Sequence, residues 1–114
     1  VAADTIDAFD GYAAGSALMA TYFEILESSA QWMVAHGSDY ADARRYLAAL
    51  FAGLSDNTIK SPDQSFANLV EGHSTPGGLN EQVAQTFMRQ KGGVAIHSAL
   101  DDIFARIKAA SSDS

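Results

Sequence analysis

The segment from Tyr46 to Ser55 constrains the fold most, because it contains no charged residue. Its apolar side chains recur at the three- and four-residue spacing of an α-helix, and not in the alternation of a strand. A helix that is apolar on every side must be covered on every side. A chain of 114 residues has little interior for such a helix. The segment therefore predicts that a second subunit covers part of it.

Helical spacing extends over most of the chain, and strand-like alternation is absent from the sequence. We predict an all-α fold of about five helices. They cover roughly residues 16–36, 39–55, 62–72, 80–91 and 93–110. Gly92-Gly93 is expected to make a tight turn into the fifth helix, and Ser111 to Ser114 are expected to form a frayed tail.

Capping residues mark the predicted helix ends. Ser38 or Asp39 is predicted to cap the second helix, Ser61 the third and Asn80 the fourth. Gly37 suits the left-handed position that follows the end of the first helix.

Three of the predicted helices have a clear apolar face that should point toward the interior. The residues of this face in the first helix are Leu18, Tyr22, Ile25, Leu26, Trp32 and Met33. Those in the second helix are Tyr40, Ala43, Leu47, Leu50, Phe51 and Leu54. The fifth helix has a similar face with Ile96, Ala99, Leu100, Ile103, Phe104 and Ile107.

Net charge narrows the range of partners. The chain has 7 basic and 14 acidic residues, which gives a net charge of −7. An acidic domain repels phosphate backbones, so we expect neither nucleic acid nor a membrane surface as a partner. No uninterrupted apolar run approaches the roughly 18 residues of a membrane span, and no basic segment precedes one as in a signal peptide.

Cysteine and histidine content argues against two kinds of site. The chain has no cysteine, which excludes disulfides, thiolate metal sites and thiol nucleophiles. Its histidines, His36, His73 and His97, lack the spacing of metal ligands. We therefore expect no metal, and no residue of the sequence stands out as catalytic.

The loop between the third and fourth predicted helices is the most informative segment. Pro76 fixes one backbone angle, and the two glycines after it permit conformations closed to other residues. The loop opens into a helix N-terminus, where unpaired amides can bind an anion such as a carboxylate. An ordinary helix connection uses the same residue types. The candidate binding residues are Ser74, Thr75, Gly77, Gly78 and Asn80.

The same loop carries a resemblance to a known family. Ser74-Thr75-Pro76-Gly77-Gly78 resembles the Ser/Thr-Ser-Pro-Gly-Gly-x-Thr loop in the helical, C-terminal dimerisation domain of pyrroline-5-carboxylate reductases. Gly15-Ser16-Ala17 is similar to the Gly-Pro-Ala helix start of that domain. The order of the helices agrees over nearly the whole chain.

The resemblance implies a fold, a partner and a reaction. The fold is a helical dimerisation domain like the C-terminal domain of 6-phosphogluconate dehydrogenase, and two such domains interlock into a homodimer. Residues 1–114 would be a single domain, the C-terminal part of a longer cytoplasmic enzyme of the proline-biosynthesis type. NAD(P), bound mainly by a Rossmann domain outside this sequence, would reduce a cyclic imine. The substrate carboxylate would bind Thr75, Gly77, Gly78 and Asn80, with Ser74 beside them.

Three departures from the family pattern bear on the substrate. Asn80 stands where the family has threonine, and Glu81 would repel an anion if its carboxylate faced the pocket. Tyr12-Ala13-Ala14-Gly15-Ser16 replaces a Ser-Gly-Ser-Gly-Pro stretch, so hydroxyls are lost. A divergent reductase that acts on another imine or keto acid fits these changes.

Two alternatives remain open from the sequence. One is a free-standing helical interaction module without catalysis, since the chain has no Gly-x-Gly-x-x-Gly loop for a dinucleotide. The other is the related helical domain of hydroxyacid dehydrogenases, which usually carries a catalytic lysine at the start of a long helix. Lys60 and Lys91 lie elsewhere, at predicted helix ends.

Overall fold

The computed structural model describes residues 5–112, and every regular element in that range is an α-helix. The helices are α1 (Ile6–Ser16), α2 (Met19–Ala35), α3 (Tyr40–Lys60), α4 (Phe66–Gly72), α5 (Leu79–Arg89) and α6 (Gly92–Ser112). The predicted all-α class is confirmed. The five predicted helices correspond to α2 through α6, and α1 precedes them.

Helix α1 has no counterpart in the sequence prediction. Its start is capped by Thr5, whose hydroxyl oxygen accepts a hydrogen bond of 3.0 Å from the Ala8 amide. Gly11 and Gly15 lie inside the helix, where glycine is unfavourable relative to alanine. Packing against α6 stabilises α1 in spite of these glycines, which local sequence preference cannot reveal.

A short connection with Gly37 in a left-handed conformation joins α2 to α3. Gly37 has a φ of +108°, which confirms its predicted left-handed position. The amide of Ser38 donates to the Met33 carbonyl at 3.0 Å, so one of the last α2 carbonyls has a partner. Asp39 occupies the N-cap position of α3, but its side chain makes no capping hydrogen bond.

The end of α3 and the start of α4 differ from the prediction. Helix α3 continues past Ser55 to Lys60, whose ammonium pairs with Asp56 at 2.9 Å one turn earlier. The predicted cap Ser61 is wrong, because Ser61 and Gln64 close a turn with a hydrogen bond of 3.0 Å. Helix α4 starts only after Ser65, whose hydroxyl caps the helix instead.

The residue with a positive φ in the connection between α5 and α6 is a lysine and not a glycine. Lys91 has a φ of +65°, whereas Gly92 and Gly93 belong to α6, so the predicted glycine turn is wrong. Gly92 has a packing role, since a Cβ there would overlap the Phe87 ring. The predicted frayed tail is wrong for Ser111 and Ser112, which α6 includes. Residues 113–114 lie outside the described range.

The described residues form two compact units. In the unit Tyr22–Glu81, α2 packs on α3 around three buried apolar residues. These are Ala30, Ala43 and Leu47, with Leu26, Met33 and Phe51 packed against them. Small alanine side chains let two helices approach closely, but they bury little apolar surface.

The second unit combines the described residues before Tyr22 with those after Glu81. Here α1 packs on α6, and Lys108 of α6 forms ion pairs with Asp7 and Asp10 of α1. The Asp10 carboxylate is buried and lies 3.0 Å from the Lys108 ammonium. Hydrogen bonds to Asp7 first and Asp10 second raise the pKa of Lys108. Ion pairs therefore contribute to the contact between these two helices.

Many large apolar side chains stay exposed in the single chain. On α2 and α3 they include predicted inner-face residues such as Trp32, Leu50 and Leu54, so those faces are only partly covered here. Val83 and Phe87 on α5 are exposed as well. Isolated exposed apolar residues are common, but a density this high marks an interaction surface. No helix within residues 5–112 combines the length and apolar character needed to cross a bilayer.

Candidate functional site

The loop before α5 is a tight turn built on Pro76 and Gly77. The Gly78 amide donates to the Thr75 carbonyl at 2.8 Å, which closes the turn. Proline at the second position and a positive φ of +76° at Gly77 in the third are the features of a type II turn. A Cβ at Gly78 would lie 2.9 Å from the Thr75 carbonyl oxygen, so a side chain there would force the turn open.

The end of α4 uses the polar groups of the two residues before the turn. The Ser74 hydroxyl donates to the Val70 carbonyl at 2.6 Å. The His73 Nδ1 lies 2.7 Å from the carbonyl oxygen of Leu69. Both side chains therefore cap the end of α4. The Ser74 hydroxyl proton is already used, and the hydroxyl oxygen keeps only its acceptor capacity.

Glu81 reaches back from the first turn of α5 to the loop. Its Oε1 accepts a hydrogen bond of 3.0 Å from the Gly77 amide. A carboxylate is favourable at this position, because the helix dipole is positive at its N-terminus. Both glycine amides of the predicted site consequently have an acceptor within the chain. The residue types place Glu81 in the acidic first turn of a helix, but they do not predict its bond to Gly77.

The predicted binding residues all lie in the turn or in the residues directly beside it. Thr75, Gly77 and Asn80 are exposed, and Gly78 is half-buried. Asn80 lies in the first turn of α5, so its predicted capping role is wrong. The first amides of any helix have no acceptor within the helix. Those amides and the Thr75 and Asn80 side chains are hydrogen-bonding groups of the kind that bind anions at helix N-termini.

A second feature, a groove of about 390 Å³ between α2 and α3, was not predicted. Its floor includes Ala30 and Leu47, and its rim carries Glu27, Tyr40 and Arg44. The Tyr40 hydroxyl donates to Glu27 Oε1 at 2.6 Å. This bond lowers the pKa of Glu27 and raises the pKa of Tyr40. The two residues are too far apart in sequence for any local pattern to link them.

Metal-ligating side chains do not gather anywhere in the described range. Between residues 5 and 112, no three His, Cys, Asp or Glu side chains meet in a way that could hold a metal ion.

The fold and its uncovered apolar faces are those of a helical domain that associates with other subunits. Comparison with protein families supports this class directly, since the model for pyrroline-5-carboxylate reductase dimerisation matches residues 4–110. The chain therefore belongs to the pyrroline-5-carboxylate reductase dimerisation family, and the resemblance seen in its sequence is confirmed. No curated protein and no solved structure matches the chain significantly.

Proposed function

We propose that the chain is the homodimerisation and substrate-carboxylate-binding domain of a cytoplasmic, NAD(P)-dependent reductase of the proline-biosynthesis type. The observation that carries the proposal is the family match over residues 4–110, which includes the turn and the first helix turn after it. The described chain would be one domain of that enzyme. It would be inactive by itself, because the hydride donor binds elsewhere.

The exposed apolar residues support the homodimer. A family of dimerisation domains implies self-association, and the uncovered faces of α2, α3 and α5 supply the apolar surface that such an interface needs. Charged residues are depleted from interface cores, and the uncharged stretch from Tyr46 to Ser55 has that composition.

The loop supports the binding of a carboxylate. Backbone amides and the Thr75 and Asn80 side chains would hold the acid group of a cyclic imine and so fix the orientation of its reacting carbon. NAD(P)H supplies the hydride when bound. This chain does not fit the dinucleotide itself, since it has no Gly-x-Gly-x-x-Gly loop and its described part has no strand to precede one. Ser74 contributes by ending α4 beside the turn.

A second candidate function is a self-associating helical module without a ligand. The observation that favours it is the internal pairing of both glycine amides, Gly78 with Thr75 and Gly77 with Glu81. The family match favours either of these functions over the helical domain of a hydroxyacid dehydrogenase.

Light scattering and amide NMR separate the two candidates. We expect a dimer at micromolar concentration, and shifts of the Gly77, Gly78 and Asn80 amides when proline is added at millimolar concentration. Gly78→Val should abolish the shifts by opening the turn, and Asn80→Ala should weaken binding several-fold by removing a donor. Gly11→Ala is the matched control, because Gly11 lies on α1, away from the loop in sequence and outside the apolar faces assigned to the dimer, and its added Cβ meets open space. A dimer whose amides do not respond would favour the module without a ligand.

A further inference from the structure

Helix α1 has its charged side buried and its apolar side exposed. Its buried residues are Asp10 and Ala14, and Asp10 and Asp7 both form ion pairs with Lys108 of α6. Asp7, Asp10 and Ala14 follow one another at spacings of three and four residues, so they share the side of α1 that faces α6. This arrangement is the reverse of the usual one, in which a helix buries its apolar side.

The large apolar side chains of α1 lie outside that contact. Ile6, Phe9 and Tyr12 have exposed fractions of 75%, 65% and 56%. Ile6, Phe9 and Ala13 recur at spacings of three and four residues and therefore form one strip. We call this strip, with the adjacent Tyr12, the outer face of α1. A helix in water would gain by turning such a face inward, but the ion pairs hold a different side of α1 against α6.

The sequence that carries this face is depleted of charge. From Gly11 to Phe23 there is no charged residue, and this stretch is longer than the uncharged one in α3. It contains the end of α1 and the start of α2, and Leu18 and Met19 within it are exposed as well. Charged residues are depleted at the core of protein interfaces relative to the rest of the surface. The composition is therefore that of a surface which another chain covers.

A second copy of the chain is the partner that fits the outer face of α1. The family match begins at residue 4, so the whole of α1 belongs to a dimerisation domain. Two copies that each carry a net charge of −7 repel one another, so apolar contact must drive their association. A basic partner would be recognised through acidic side chains, which the outer face lacks.

We propose that the outer face of α1 forms part of the homodimer interface, and that the ion pairs with Lys108 hold α1 in the orientation that presents this face to the second copy. The inference rests on the homodimer of the proposed function and adds a helix to its interface. Lys108 is a positioning residue in this scheme, because it contacts the charged side of α1 and the second copy contacts the apolar side.

Single cysteines measure which side of α1 the second copy covers. The chain has no cysteine, so an introduced one is its only thiol. Ala13→Cys places a thiol on the outer face. Gly11→Cys is the matched control, since it lies about 200° away around the helix and its Cβ meets open space. We expect maleimide to label Ala13→Cys about tenfold more slowly above the dimer dissociation constant than below it, and Gly11→Cys at equal rates.

Lys108→Met in the Ala13→Cys chain tests the positioning role. Methionine keeps most of the apolar length of the lysine but removes the charge that fixes the rotation of α1. We expect the protection of the thiol in the dimer to fall to about threefold or less, while circular dichroism shows that the helices remain. Lys60→Met in the same chain is the control, because it removes a lysine from an exposed pair on α3 and should leave the protection unchanged.

Association constants give an independent measure of the same interface. Phe9→Gln should raise the dimer dissociation constant by about tenfold or more, because it removes an aromatic side chain that the second copy buries. Phe66→Gln is the matched control, since Phe66 is a phenylalanine of α4 with an exposed fraction of 77%. Its dissociation constant, measured by analytical ultracentrifugation, should stay within about twofold of the wild-type value.

Each outcome has a distinct meaning. If the chain dimerises but the labelling of Ala13→Cys does not depend on concentration, or Phe9→Gln and Phe66→Gln weaken the dimer equally, the outer face lies outside the interface and the inference is wrong. The homodimer itself would still stand in that case. If the protection survives Lys108→Met unchanged, the positioning role of Lys108 is wrong. If the wild-type chain is monomeric at every concentration, the homodimer is wrong and the inference fails with it.

Discussion

The two compact units of the chain hold their helices together by different forces. In the unit Tyr22–Glu81, α2 and α3 meet through buried alanines and Leu47, and the Tyr40 hydroxyl donates to Glu27 at the rim of this apolar contact. In the other unit, α1 and α6 are joined by a lysine between two aspartates, one of them buried. Burial of apolar surface is insensitive to salt and pH, whereas ion pairs respond to both. The α1–α6 contact should therefore respond to salt and to alkaline pH more strongly than the α2–α3 core.

The two units have one property in common, a small apolar core. Neither has a large interior, because the buried apolar residues of the described chain are Ala14, Ala30, Ala43 and Leu47. Small cores give little net stability. Association of subunits adds the missing burial, so stability and self-association should be coupled in this family member.

The largest effect is expected in the apolar unit. Leu47→Ala removes the one large buried side chain of the α2–α3 core and should lower the free energy of unfolding by about 2–3 kcal/mol. Urea titration at low and high salt measures this loss, which should be the same in both. Leu50→Ala is the control, since Leu50 is exposed and its loss should weaken association more than folding. Equal losses from both variants in dissociated chains would contradict the assignment of the core.

The second effect concerns the charged unit at alkaline pH. Because Asp7 and Asp10 raise the pKa of Lys108 in the folded chain, this lysine stabilises the fold fully below its unfolded pKa of about 10.4. The stabilisation is lost as the pH rises through the higher folded value. Lys108→Met should therefore be less stable than the wild type near neutral pH, and the difference should shrink above about pH 10.

Unfolding curves between neutral and alkaline pH measure this difference. Lys60→Met is the matched control, because Lys60 lies on α3 in an exposed pair with Asp56. Its stability relative to the wild type should change little over the same range. A Lys108→Met variant that differs from the wild type by a constant amount would show that the ion pairs do not stabilise the α1–α6 contact.

The smallest effect lies at the rim of the α2–α3 groove. The Tyr40 hydroxyl is the main cause of the lowered pKa of Glu27, and Gln31 contributes less. Tyr40→Phe should move this pKa upward, toward its ordinary value, as measured by carbon NMR of the Glu27 carboxyl. A carboxyl group with a lowered pKa stabilises the fold above its unfolded value of about 4.3 and loses this effect as the pH falls. The variant should therefore be slightly less stable at pH 6 and less sensitive to acid.

Tyr46→Phe provides the comparison for that measurement. Tyr46 is an exposed residue of the same helix, so its substitution should leave the titration of Glu27 unchanged. A Glu27 pKa that stays low in Tyr40→Phe would mean that the hydroxyl is not its principal hydrogen-bond donor in solution.

Helical periodicity made α2 through α6 predictable, because their apolar residues recur at a spacing that only a helix places on one side. It did not reveal α1, whose glycines weaken the local signal and whose partner α6 lies at the other end of the described chain. The cap of α4 was misplaced since two serines, Ser61 and Ser65, compete for the role. Ser65 becomes the N-cap because Ser61 belongs to the turn that forms around Pro62.

The candidate site was predictable in its position but not in its internal contacts. Pro76 and the two glycines predict a turn at a helix start, and the structure has a turn from Thr75 to Gly78. The bond between Glu81 and Gly77 depends on a side-chain conformation selected by the folded loop, which residue type alone does not specify. Such contacts decide which amides of a loop are accessible, so a sequence motif locates a turn more reliably than it defines what the turn can bind.

The pairing of α1 with α6 has a consequence for synthesis. Asp7 and its partner Lys108 are separated by 101 positions. At a translation rate of 5–20 residues per second, α1 waits roughly 5–20 s before its partner is made. During that interval Asp7 and Asp10 lack the lysine with which they pair in the folded chain, so α1 lacks a contact that stabilises it. Helix α1 is thus completed by a helix that is synthesised about a hundred residues after it.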